Sequence, residues 1–167
     1  MRWLALLFPC LIAACDGAPA GAPAPLDYEE INEAARGPAI AVQLEALGEG
    51  ALATERVSGA FCSLSRLNDP GPIIIATPEV AYAVIDGEPH TFAAYPGKSA
   101  LAFEVAQHFD GRAYSLEIEL ADPSGAVREE GRFSADAMVL LRDPLKRLIH
   151  EGFATLDCVP APSQPRA

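Results

Sequence analysis

Three histidines and several closely spaced carboxylates are the side chains of this sequence with acid–base or metal chemistry to offer. Asp86 and Glu88 precede His90, and Glu151 follows His150, while His108 stands alone in the sequence. Three histidines converging in space could hold zinc. No ligand-like spacing joins them, and isolated surface or capping histidines are the competing reading. A Ser/His/Asp arrangement needs no sequence adjacency, but nothing here selects a serine for one. There is no Walker loop, nucleophile elbow, HExxH or calcium-loop pattern. No catalytic residue, metal ligand or cofactor is therefore assigned, and the chemistry leans toward binding, with an envelope enzyme or metal-binding protein using the histidines and acids as the alternative.

The four cysteines divide by their surroundings. Arg2 and the apolar run over residues 3–14 have the layout of a secretory signal, too short to span a bilayer. Its end, Leu11-Ile12-Ala13-Ala14-Cys15, resembles the lipobox of bacterial lipoproteins. The resemblance implies that residues 1–14 are removed and that Cys15 is lipidated as the first residue of the mature chain. It also implies a location in the bacterial cell envelope, lipid-anchored and facing the periplasm, where Asp16 leans toward the inner membrane. An ordinary signal cut after Ala18 or Ala20 is the alternative. Residues 15–25 continue as a Pro/Ala/Gly spacer that can build no core, and its prolines favour an extended tether.

Removing the signal takes Arg2 and Cys10 with it, which leaves eleven basic against twenty-three acidic residues and moves the net charge from −11 to −12. Phosphate neutralisation needs a basic surface, so nucleic acid is not an expected partner. A basic envelope protein is the partner such a field favours. Cys62 and Cys158 are left as one pair in an oxidising compartment. A disulfide between them would close nearly the whole domain, for about 4 to 5 kcal/mol in the chain-entropy model. A buried free thiol pair or a redox-active cysteine are the alternatives, although no Cys-x-x-Cys is present.

Residues 26–159 form one β-rich domain by this reading, and residues 160–167 a proline-rich tail with nothing to bury. The patterning predicts a helix over 28–36, with Asp27 as N-cap, Glu30 at the capping-box position and Gly37-Pro38 as the stop. Ile40, Val42 and Leu44 alternate with polar or small residues as in a half-buried strand. One or two strands are expected within 52–67, a β-branched strand at Ile73-Ile74-Ile75, and a hairpin with Asp86-Gly87 as its tight turn. Residues 114–120 alternate without fault, and Asp122-Pro123-Ser124-Gly125 reads as a turn. A buried strand is expected over 138–141, a short helix from Asp143-Pro144 through Glu151, and a last strand over 153–158. The sum is a mainly β fold, an antiparallel β-sandwich or barrel of about six to eight strands with one or two short peripheral helices.

A second hairpin is expected around Asp110-Gly111. A two-residue turn there places Leu101, Phe103 and Val105 opposite Leu120, Ile118 and Leu116, all on one face. A helix over 99–109 is the alternative, because Leu101, Val105 and Phe109 also fit a four-residue spacing. The same register sets Glu104 opposite Glu117, with Glu119 beside them, so the face needs a basic neighbour such as Lys98 or Arg112, or serves as an acidic binding patch. Cys62 near the domain start, Gly111-Arg112-Ala113-Tyr114 in mid-chain and Cys158 near the end resemble the membrane-bound lysozyme inhibitors. That resemblance implies a small β-barrel lipoprotein that binds a basic enzyme.

Overall fold

The computed structural model describes residues 28–48, 59–69, 71–97 and 99–162, and the chain divides into two compact units, 1–37 and 38–167. In the first unit, α1 (Tyr28–Arg36) ends at Gly37, whose φ of 65° turns the backbone into the left-handed region. This is the stop expected from Gly37-Pro38. Asp27, the side chain of Glu30, Cys15 and Asp16 lie outside the described residues.

The second unit holds β1 (Leu44–Glu45), β2 (Phe61–Ser65), β3 (Pro72–Ala76), β4 (Val80–Ile85), β5 (Glu88–Ala94), β6 (His108–Asp110), β7 (Ser115–Leu120), β8 (Val127–Glu129), β9 (Arg132–Arg142) and β10 (Leu148–Val159). Eight of them, β2 to β7 with β9 and β10, form a closed antiparallel barrel, and β1 and β8 are short additions on β4 and β9. Each barrel strand pairs with its neighbour along the chain until β10 returns to β2. The fold is an up-and-down barrel, which abolishes free sheet edges around the ring.

Period-two patterning decides which side faces in. In β4, Ala81, Ala83 and Ile85 are buried while Val80, Tyr82 and Val84 are only partly so. Leu116 and Ile118 do the same in β7, and Phe133, Ala135, Ala137, Val139 and Leu141 in β9. Phe92 and Phe109 are the largest side chains fully inside, and the alanines around them keep the narrow interior from being overfilled. Each large apolar group taken inside contributes about 1.5–3 kcal/mol.

The ring closes where its first and last strands, β2 and β10, pair, and the disulfide sits on that seam. Cys62 and Cys158 are direct partners across β2 and β10, with Cα atoms 3.9 Å apart and both side chains buried. Residues 42–47 cross one end of the barrel: the Val42 N–H donates to the Ile149 carbonyl, Leu44 pairs with Ile85, and the Leu47 N–H donates to the Pro72 carbonyl. By strand alternation, residues 99–107 lie at the other end. There Leu101, Ala102 and Val105 are buried around a 3-10 turn in which Phe103 and Glu104 have positive φ.

Three expectations are corrected by the geometry. Only residues 44–45 of the Ile40–Val42–Leu44 pattern pair as a strand; Val42 is buried and its N–H bonds to β10, and Ile40 is 77% exposed. Residues 143–151 are not a helix. Asp143 Oδ1 accepts the N–H groups of Leu145 and Arg147, which mimics a helix N-cap but closes a hairpin turn, and β10 begins at Leu148. Around Asp110-Gly111, neither the two-residue turn nor the helix forms: His108 pairs with Glu117, Phe109 with Leu116 and Asp110 with Ser115, which leaves a four-residue loop, 111–114.

Candidate binding site at one end of the barrel

That loop and the turn over 143–147 lie at the same end, because Ser115 pairs with Asp110 on one side and Arg142 on the other. Gly111 allows the loop to close. A Cβ there would come within 2.8 Å of the Phe92 ring and 3.0 Å of the Tyr114 carbonyl oxygen, which accepts the Gly111 N–H. Tyr114 in turn packs edge-on against His90, with ring centroids 5.2 Å apart. Arg112 is thereby carried exposed at the loop tip.

Asp143 organises the neighbouring turn. Besides two backbone N–H groups it accepts Arg147 Nε at 2.7 Å and forms an ion pair with Arg147 Nη2 at 2.6 Å. Burial raises the pKa of this carboxyl, but the hydrogen bonds from Arg147 and Leu145 and the Arg147 charge outweigh it, holding the group below its ordinary value. The turn so fixed leaves Lys146 with φ at 64°, a conformation disfavoured for a side chain with a Cβ. Arg142 Nη1 reaches back toward the Lys146 carbonyl at 3.5 Å.

Next to the 143–147 turn, along β6 and β7, opens a cleft of about 280 Å³, whose charged lining consists of His108, Asp110, Glu117, Arg142 and Lys146, with Tyr95 and Ser115 beside them. A smaller recess of about 70 Å³ adjoins it, shares Asp110 and Lys146, and adds Arg112 and Tyr114. His108 Nδ1 lies 3.2 Å from Glu117 Oε1, both groups about a quarter exposed. This pair replaces the Glu104–Glu117 repulsion expected from sequence. Glu104 sits in the 3-10 turn at the opposite end, and Glu119 is exposed on β7 across from Met138. Glu104 and Glu117 are therefore not cross-strand partners, and Lys98 lies outside the described residues.

The histidines are likewise apart. His90 belongs to the loop packing just described, and His150 Nδ1 meets the Val42 carbonyl at 3.2 Å beside a second cleft of about 320 Å³ near Arg66 and Phe153. Among the described residues, no group of three or more His, Cys, Asp or Glu could hold a metal ion. His108 with Glu117 has the composition of a general base and its orienting acid. Ser115 shares their face, two residues from Glu117, yet its hydroxyl makes no hydrogen bond to the imidazole. Sequence reasoning missed Arg142, Lys146 and Asp143 as neighbours of this loop; the only signal was Asp143-Pro144, which reads as a helix start.

Compared with protein families, curated proteins and solved structures, the chain shows no match.

Proposed function

We propose that this chain is a lipid-anchored protein of the bacterial envelope that binds a partner without transforming it, using the barrel end that carries loops 111–114 and 143–147. The observation that carries the reading is the filled interior. Apolar side chains occupy the inside of the ring, chain segments cross both of its ends, and the mixed-charge cleft opens on the outside. Recognition then falls to surface loops held by a rigid scaffold, as loops on β-frameworks do generally. The Ile12-Ala13-Ala14-Cys15 sequence supports the anchor, and the Cys62–Cys158 disulfide fits an oxidising compartment.

Cys15→Ala tests the anchor. Growth with a labelled fatty acid should label the parent chain and not the variant, and the variant should leave the membrane fraction; a variant that stays membrane-bound rules the anchor out. Fractionation of inner and outer membranes tests the inner-membrane preference drawn from Asp16.

A second reading, lysozyme inhibition, is favoured by the loop itself. Gly111 and Tyr114 are the two residues of the inhibitor-like motif that fix its shape, and they present Arg112 and Ala113 between them. The net acidity suits a basic enzyme. Micromolar protein should slow lysozyme hydrolysis of cell walls, and no inhibition at that concentration removes this reading.

A further inference from the structure

The cleft along β6 and β7, next to the 143–147 turn, contains opposite charges that do not neutralise one another. Asp110 comes from β6 and Glu117 from β7, while Arg142 and Lys146 come from the end of β9 and the turn that follows it. Within the described residues none of the two acids is ion-paired with either of the two bases: Glu117 is turned to His108, Arg142 meets only a carbonyl, and Asp110 and Lys146 make no side-chain bond. Flexible charged side chains left to themselves would close such gaps or spread into solvent.

Two features hold the gap open. On the acidic side, Phe109 and Leu116 are buried in the core, so the alternate positions Asp110 and Glu117 must face outward, and His108 fixes the Glu117 carboxylate. On the basic side, Asp143 clamps the turn through four bonds and keeps Lys146 in a left-handed backbone conformation. A strained residue maintained by its surroundings points from geometry to function. Asp110 and Arg142 are separated by the width of β7, two interstrand steps or about 10 Å of backbone.

We infer that this cleft binds a zwitterion of dipeptide length, its carboxylate held by Arg142 and Lys146 and its ammonium by Asp110 and Glu117. The inference rests on the reading of this barrel end as a binding surface and names what that surface recognises. A pure anion would meet Asp110 and Glu117, a pure cation would meet Arg142 and Lys146, and a ligand carrying both charges in the right order satisfies all four. Tyr95, 49% exposed, supplies an apolar wall for a small side chain. The net charge of the chain, −11, by itself points only to basic partners; the four-residue arrangement selects a ligand with an anionic end as well.

The test is calorimetric titration of the full chain in detergent with alanyl-alanine, its N-acetyl derivative and its C-terminal amide. The free dipeptide should bind saturably, and each cap should weaken binding by about tenfold, the usual loss on removing one charged contact. Lys146→Asn keeps a residue that tolerates positive φ while removing the charge. It should retain the wild-type melting temperature and lose the preference for the free carboxylate over the amide. Asp110→Asn should lose the preference for the free amine over the acetylated form, and Arg142→Gln should repeat the Lys146→Asn result. Equal binding of capped and free forms, or no binding at about 10 mM, overturns the ligand class. Cross-linking in the envelope separates that failure from the parent reading: a partner lost in Lys146→Asn while the dipeptides fail leaves the binding surface standing, and a partner kept in the variant removes both.

Discussion

Two Asp-Gly dipeptides stand at barrel turns of this chain, and they do different things. Asp86-Gly87 joins β4 to β5 directly, with φ values of 49° and 81° and Ile85 paired with Glu88. Both central residues are left-handed, which matches the twist of the flanking strands. Asp86 also exchanges bonds with Gln43, its N–H donating to the Gln43 carbonyl and its carboxylate accepting the Gln43 N–H. At Asp110-Gly111 the glycine supplies empty space, not dihedral freedom: the Phe92 ring and the Tyr114 carbonyl occupy the place a Cβ would need. One turn is specified by its own two residues, the other by a side chain from β5. The difference explains why the first is a minimal hairpin and the second a shaped four-residue loop.

The disulfide seam sets the scale for judging these turns. Replacing Cys62 and Cys158 together by Ala should cost about 4 to 5 kcal/mol in denaturant unfolding, because it releases the closure of the whole ring. Gly111→Ala should come next at about 1–3 kcal/mol, the usual cost of overpacking. Shortening the obstructing side chain in Gly111→Ala with Phe92→Leu should recover part of it relative to the sum of the single changes. A simple sum would break the contrast between the turns. Gly87→Ala should cost about 1 kcal/mol through backbone strain alone, and Gly87→Asn close to nothing, since Asn tolerates that region. If Gly111→Asn is tolerated as well as Gly87→Asn, the steric account of Gly111 is wrong.

At the cleft, Glu117→Gln should lower stability by less than about 1 kcal/mol, the range for a partly exposed pair. A rise would restore the repulsive picture that the sequence register implied. The Asp143 turn adds an acid-side signature. Because its carboxyl titrates below the ordinary value of 3.8 when folded, its stabilisation is present above that value and is lost as pH falls through the lowered folded one. The stability difference between the parent chain and Asp143→Asn should therefore be constant near neutrality and shrink in acid, as followed by urea unfolding across the pH range.

Much of the ring is legible in the pattern of residues. Alternation in 80–85 and 115–120, the β-branched run at Ile73-Ile74-Ile75 and the Asp86-Gly87 turn each specify a strand or hairpin through neighbours along the chain. Cys62 and Cys158 could be named as a pair from the sequence, but the position of their disulfide on the closing seam could not. The site was much less visible. Glu117 could be singled out as a carboxylate needing compensation, but its partner His108 depends on a register four residues away from the one a two-residue turn imposes. The Asp143 turn was misread because an aspartate accepting the N–H groups two and four residues on looks alike in a helix cap and a hairpin turn.

The sequence by itself determined a mainly β domain, its inward and outward faces and the pair of cysteines available for a staple, since all of these rest on period, composition or local turn chemistry. Only the tertiary structure decided that the strands close into a ring, that Gly111 must yield to Phe92, and that Arg142 and Lys146 share one cleft with Asp110 and Glu117. Those features depend on contacts between segments distant along the chain, where packing and register, not local preference, set which side chains meet.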